Sequence, residues 1–243
     1  MSKLPCFEGE AYGRRCNGHP TCSDTGPNNR ATRPARGAFF PVNDLSKRAL
    51  REAAAAARRL LPAEERAASS VAIQERLVAL PIFLRAATVG LYAPIGAEVD
   101  TAAIARAALR QGKELAFPRL APDRPGLDFA ACSPEELVPA ALGTREPPPD
   151  ATPVAGAALD LLLVPGVAFD LRCHRLGRGR AYYDATLAAL PPSTLRVGLA
   201  FEVQIVPAVP LEAHDQPLDA VITEARVILR DPEACAGGGP ILV

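Results

Sequence analysis

The run Arg175-Leu176-Gly177-Arg178-Gly179-Arg180-Ala181-Tyr182-Tyr183-Asp184 gathers glycines, arginines, tyrosines and a carboxylate into one predicted strand-to-helix loop. These residue types suit a polyanionic ligand. Gly177 and Gly179 allow positive φ and close approach, so that backbone N–H groups can point at phosphate oxygens near a helix start. The arginines add charge-assisted, often bidentate bonds, each worth roughly 1.5–3 kcal/mol. Asp184 supplies the hard oxygen that magnesium prefers. The run has neither the lysine-serine/threonine ending of a P-loop nor the three-glycine spacing of the dinucleotide fingerprint. From these residues alone two readings stand side by side: a phosphate-binding loop, or a solvated basic turn leading into a helix.

The elements that would carry this loop can be read from periodicity. Asn43-Asp44 is a suitable N-cap for an alanine-rich helix reaching about Leu60, with Lys47, Arg48, Arg51, Arg58 and Arg59 along it. Pro62 opens a second helix, in which Ile73, Leu77 and Leu80 share one face. Both helices are expected to cover a sheet. Strands and helices then alternate: a strand at 88–92, a helix over 100–110 closed by Gly112, a strand at 114–117 and another at 127–131. Glu146-Pro147-Pro148-Pro149 predicts a stiff extended crossing of the surface. The strongly apolar stretch Leu159–Val164 reads as a central parallel strand covered on both faces, leading directly into the glycine-arginine loop. A helix near 183–190 and strands at 196–201 and 218–223 follow. Strand carboxyl ends should therefore bring 94–98, 170–184, 202–204 and 214–215 to one edge of the sheet. The fold class expected is three-layer α/β/α with a mostly parallel, open, Rossmann-like sheet.

Composition narrows the function classes. The chain has 243 residues, 49% hydrophobic and 5% aromatic, enough for one sizeable core. Twenty-seven Lys+Arg balance 27 Asp+Glu, which argues against a general nucleic-acid or membrane-surface role. No apolar run approaches the roughly 20 residues of a membrane helix, and the first residues lack the order of a secretory signal, so the expected compartment is the cytoplasm. Residues 1–42 are too poor in apolar residues to offset their ordering entropy and are expected to be a disordered extension before a domain at 43–232 and a tail at 233–243. Cys6, Cys16, Cys22, Cys132, Cys173 and Cys235 include no C-x-x-C pair and read as reduced thiols. Cys16, His19 and Cys22 have poor spacing for zinc.

Ordered motifs from Lys47 to Thr223 carry a family resemblance. They are Lys47-x-x-Leu50-Arg51; Tyr92-x-Pro94-x-x-x-Glu98-Val99-Asp100-Thr101; Gly112-Lys113 with Pro118-Arg119; Glu146-Pro147; and Val164-Pro165-Gly166-x-Ala168-Phe169-Asp170. Arg175–Asp184, Gln204 and His214-Asp215 complete the series. The sequence resembles the 5-formyltetrahydrofolate cyclo-ligase (5,10-methenyltetrahydrofolate synthetase) family. That resemblance implies an ATP- and magnesium-dependent enzyme in which the N5-formyl oxygen is phosphorylated to an iminophosphate, N10 attacks and phosphate leaves. It implies that Lys47 and Arg51 contact ATP phosphates while Arg175, Leu176, Gly177, Arg178, Gly179, Arg180, Ala181, Tyr182 and Tyr183 wrap the nucleotide. Asp184 and Asp215 would hold Mg2+; Glu98 would bind the reduced pterin, with Arg178, Gly179 and Tyr182 against the folate; Arg178 and Tyr182 would be catalytic. The partners implied are 5-formyltetrahydrofolate and ATP, acting on a monomer.

Blander readings weigh against each residue. Lys47 and Arg51 lie at i, i+4, where a solvated basic helix face is ordinary, and Asp100 and Thr101 suit an N-cap. His214 reads as structural, since no serine or cysteine has a context to pair with it. Cys173 lacks a paired base and is not read as a nucleophile. Family members often carry glycine where this chain has Ala181 and Cys173; the Ala181 methyl resists positive φ and close phosphate approach. A non-catalytic folate- or nucleotide-binding paralogue is therefore the alternative function. A nucleic-acid-binding module is a third class, disfavoured by the balanced charge and the lack of aromatic platforms.

Overall fold

The computed structural model describes residues 46–231. The expected extension, the Asn43-Asp44 cap, the C-terminal tail, and Cys6, Cys16, His19, Cys22 and Cys235 lie outside the described residues.

Helix α1 (Lys47–Leu60) is capped by Ser46, whose Oγ accepts from Ala49 N at 3.3 Å. Leu50, Ala54 and Arg58 form its buried stripe. Pro62 precedes α2 (Ala63–Val78), with Glu64 and Glu65 in the first turn, where they complement the helix dipole. Helix α3 (Pro81–Arg85) leads into β1 (Thr88–Gly90), and α4 (Ala102–Arg110) into β2 (Glu114–Leu120). Asp100, not Thr101, caps α4: its Oδ1 accepts from Ala102 N at 3.0 Å, while Thr101 Oγ1 donates to Tyr92 O at 3.0 Å. The chain continues through β3 (Leu127–Ala131), the hairpin β4 (Val138–Pro139) and β5 (Arg145–Glu146), β6 (Pro153–Val154) and β7 (Leu161–Val164). Then come β8 (Ala168–Asp170), β9 (Arg175–Leu176), α5 (Tyr182–Ala189), β10 (Leu195–Leu199), β11 (Ile205–Val206), β12 (Ala220–Ile222) and β13 (Val227–Leu229).

The main sheet has eight strands in the order β13-β12-β10-β7-β1-β2-β3-β6, parallel from β12 to β2 and antiparallel at both edges. Alternation along β7 shows how two cores arise. Leu161 and Leu163 join Val89, Phe117 and Leu199 under α2, α3 and α4, whereas Leu162 and Val164 face the other way, toward Phe129, Phe169 and Leu187 of α5. The result is the expected three-layer α/β/α arrangement. Just ahead of β7, Asp160 Oδ2 accepts from Ala87 N at 2.8 Å and Thr88 N at 2.9 Å, tying the start of β7 to β1.

Helix α1 covers a sheet as expected, and that sheet is a small second one, β11-β8-β9, met through Leu50 and Ala54 against Val167, Ala168, Leu176 and Val206. One expectation needs correction. Arg175–Leu176 is not loop: as β9 it pairs with β8, so a β-hairpin stands between β7 and the glycine-arginine segment. Strands of two or three residues have no periodicity to read. Among the described residues, no helix is long and apolar enough to cross a membrane.

Candidate active site

Strand β1 connects through α4 to β2 on one side, and β7 connects through α5 to β10 on the other, so the sheet order reverses between the adjacent parallel strands β1 and β7. Crevices beyond the carboxyl ends of strands at such a reversal bind ligands. The segments leaving these two strands, Tyr92–Glu98 and Pro165-Gly166, wall a cavity of about 400 Å³. The glycine-arginine run from Gly177 to Asp184 closes another side, and Thr144, Arg145 and Glu146 of the β4–β5 hairpin close a third. Pro118, Leu120 and Leu127 add an apolar surface suited to a flat ring.

Two of the lining carboxylates, Asp184 and Glu98, are each paired with an arginine. Asp184, 8% exposed in the first turn of α5, accepts from Arg175 Nη2 at 2.9 Å, and Arg175 is itself 5% exposed. The Arg175 guanidinium also lies 5.6 Å from the centre of the Tyr183 ring, and its Nε has no hydrogen-bond partner among the described residues. Glu98, buried at its side chain, accepts from Ile95 N at 2.9 Å through Oε2 and from Arg178 Nη2 at 2.7 Å through Oε1. Arg178 is half exposed, so this pair joins a buried carboxylate to a solvent-facing side chain.

Helix α1 meets the loop from behind. Arg51 Nε donates to Gly177 O at 2.8 Å, which excludes a solvated basic face at this position. Lys47 is likewise engaged, at 2.5 Å from Asp215 Oδ2 and 3.2 Å from Glu212 Oε1. Burial pushes Asp215 up, but the hydrogen bonds from Lys47 and the Glu212 N–H and the Lys47 charge outweigh it, holding the carboxyl below its usual range. His214 is exposed and stands 3.6 Å from Glu212 and 3.8 Å from Asp215. Lys47, Arg51 and Asp215 do not line the cavity; Glu98, Arg175, Gly177, Arg178 and Arg180 to Asp184 do.

The two glycines serve different needs. Gly179 has φ +94°, as the positive-φ reading expects; Gly177 does not, and matters for proximity, since a Cβ there would sit 2.6 Å from Arg175 Nη1. That guanidinium is held by Asp184 and cannot yield. Ala181 occupies the N-cap position of α5 at φ +52°, ψ +13°, the left-handed region its methyl group disfavours, and gives the helix no side-chain cap. Ala181→Gly should relieve this and stabilise the protein by about 0.5–1 kcal/mol, the left-handed penalty less the added freedom of the unfolded glycine. Chemical denaturation of both proteins checks it; an equal or lower midpoint would show that the turn bears no strain.

Other motif residues are structural. Asp170 accepts from the backbone N–H groups of Arg172 at 2.9 Å, His174 at 3.0 Å and Val209 at 3.0 Å, which holds the β8–β9 hairpin. Gln204 Nε2 donates to Gly166 O at 3.0 Å and Val167 O at 2.9 Å, fixing the cavity wall after β7. Cys173 is buried at φ +62° in that hairpin, its thiol pushed up to about 12 by burial and then by Asp170, so it is no nucleophile. The sequence reading gave no site role to Arg58, Tyr92, Arg145 or Glu146. For Arg58 a signal existed: its spacing puts it on the same helix face as Leu50 and Ala54.

Residues 43–224 match the 5-formyltetrahydrofolate cyclo-ligase family. The 5-formyltetrahydrofolate cyclo-ligase of Mycolicibacterium smegmatis is 33% identical over 194 residues, covering 77% of this chain and 98% of the relative. That of Escherichia coli K12 is 35% identical over 174 residues, 70% of this chain and 96% of the relative. The NMR structure of Aquifex aeolicus 5,10-methenyltetrahydrofolate synthetase superposes with a TM-score of 0.68 at 33% identity, over 81% of this chain and 96% of that one.

Proposed function

The chain belongs to the 5-formyltetrahydrofolate cyclo-ligase family, and from that premise we propose that it converts 5-formyltetrahydrofolate and ATP into 5,10-methenyltetrahydrofolate, ADP and phosphate. The observation that carries this reading is the cavity at the β1/β7 reversal, which brings a buried carboxylate and an arginine-bearing glycine loop onto one space.

An amide-like formyl oxygen is a poor leaving group. Phosphorylation turns it into one, and phosphoryl transfer needs alignment and charge neutralisation more than covalent help from the protein. The formyl oxygen attacks the terminal phosphorus and ADP leaves; N10 then attacks the formyl carbon, the C–O bond breaks, phosphate departs and the N10 proton passes to solvent. Glu98 suits the pterin, whose 2-amino group and ring N–H offer two adjacent donors to a carboxylate. Arg178 and Arg180 supply cations for the transferring phosphoryl group, with Gly179 permitting close approach. Arg51 holds the loop through Gly177, and Lys47 contributes charge from α1. Tyr182 would hydrogen-bond or stack on the ligand.

Magnesium can be tested against the donors present. Asp184 lines the cavity and its Oδ2 hydrogen-bonds to no described residue; Asp215 lies outside the cavity lining, its Oδ2 accepting from Lys47 and from the Glu212 N–H. Among the described residues no three His, Cys, Asp or Glu side chains gather as a metal cage. The donors fit Mg2+ as it usually accompanies nucleotides, bound by one or two carboxylates, waters and phosphates. When bound, it would neutralise charge on the phosphates.

The deciding assay follows the near-ultraviolet absorbance of the methenyl product with purified protein, 5-formyltetrahydrofolate, ATP and magnesium, omitting each in turn. Growth only in the complete mixture supports the ligase. A flat trace from folded protein that binds either ligand would replace it with a non-catalytic paralogue.

A further inference from the structure

Arg175 borders the cavity, yet its side chain is 3% exposed. Strand β9 fixes its backbone against β8, Nη2 donates to Asp184 Oδ1 at 2.9 Å, Nη1 reaches Pro165 O at a long 3.5 Å, and the guanidinium stands 5.6 Å from the centre of the Tyr183 ring. A glycine leaves the room for it: a Cβ at Gly177 would lie 2.6 Å from Nη1, and Gly177 is itself tied back by Arg51 Nε, which donates to its carbonyl at 2.8 Å. The guanidinium is therefore enclosed on several sides and has no free face to offer a phosphate.

Stability alone does not account for so enclosed an ion pair. Taking two charges out of water costs about what their attraction returns, and apolar residues of similar volume often serve a fold as well. What the pair does provide is a direction. Among the described residues Arg175 is the one hydrogen-bond partner of the Asp184 carboxylate, and it engages Oδ1, so Oδ2 is left without a hydrogen bond where Asp184 lines the cavity. We propose that Arg175 is a positioning residue: its buried guanidinium holds the Asp184 carboxylate so that Oδ2 is presented to the divalent cation accompanying the nucleotide, and it acts through Asp184 and not on the phosphates. The inference rests on the reading of Asp184 as a magnesium ligand given above. Partners that hold a ligating carboxylate in this way are worth about 10–100-fold in metal affinity.

The test is calorimetric binding of a non-hydrolysable ATP analogue to the full chain, once in EDTA and once with saturating Mn2+; the ratio of the two affinities is the gain the metal brings. Arg175→Lys keeps the charge, but its side chain is shorter and its ammonium cannot stand where Nη2 does. It should cut the metal gain roughly tenfold and leave the affinity in EDTA within about twofold of wild type. In an Asp184→Asn background the same substitution should leave the residual gain unchanged. If Arg175→Lys fails to fold, Gly177→Ala carries the comparison, since its methyl group displaces Nη1 while both charges remain, and it should lower the gain in the same direction. A metal gain unchanged by the substitution, an affinity lowered equally in EDTA and in Mn2+ as a phosphate contact would give, or an equal loss in the Asp184→Asn background overturns the role of Arg175. A full metal gain in Asp184→Asn overturns the metal reading of Asp184, and this inference with it, while nucleotide binding stands. Wild-type protein that binds no analogue in either condition overturns the proposed function itself.

Discussion

Asp184→Asn should lower kcat/KM by about a hundredfold or more and also destabilise the fold, by about 3 kcal/mol. The two losses have separate causes. Asparagine keeps the shape but takes the negative charge from a cavity position suited to magnesium, so turnover falls even at saturating nucleotide. It also leaves the Arg175 guanidinium, 5% exposed, without the carboxylate 2.9 Å away. The sequence alone suggests a variant that folds normally; the buried pair makes it a stability variant too. Turnover assayed well below the melting temperature, together with thermal melting of the same preparation, separates the effects. Undiminished kcat/KM would remove Asp184 from the metal site, and an unchanged melting temperature would mean Arg175 finds compensation elsewhere.

Arg178→Ala should have the opposite profile: kcat reduced roughly 10²–10³-fold, with stability nearly untouched. Arg178 is half exposed, so its bond to Glu98 is screened by water and contributes little to folding. Its proposed value lies in the transition state, where the transferring phosphoryl group spreads charge over its oxygens and a positioned guanidinium stabilises it. A role confined to ground-state binding would instead raise KM and spare kcat. Steady-state kinetics at saturating folate distinguishes them, and a kcat within about threefold of wild type would confine Arg178 to binding. Arg178→Lys should recover part of the loss, since a point charge replaces a bidentate fork.

Much of the architecture was legible because it is written in local patterns. The apolar stretch ending at Val164 announced a strand covered on both faces, and Leu161–Val164 is that strand. Gly112, with φ +70°, marked the end of α4. The family resemblance singled out Ala181 and Cys173 as departures at glycine positions, and they are the two non-glycine residues with positive φ among those described. What escaped was short or non-local. The strands β8, β9 and β11 span two or three residues each, too few for a period. Arg58 was hidden among the arginines of a basic helix, although its spacing assigned it to the buried face.

By itself the sequence determined the alternation of strands and helices, the phosphate-suited composition of the glycine-arginine run, and the presence of a carboxylate after the first strand. These follow from periodicity and residue chemistry within windows of a few residues. Only the tertiary structure decided which cation answers which carboxylate: Arg175 for Asp184, nine residues apart, Arg178 for Glu98, 80 apart, and Lys47 for Asp215, 168 apart. Ion pairing depends on distance, burial and the dielectric around both groups, and these exist only after packed layers bring remote segments together.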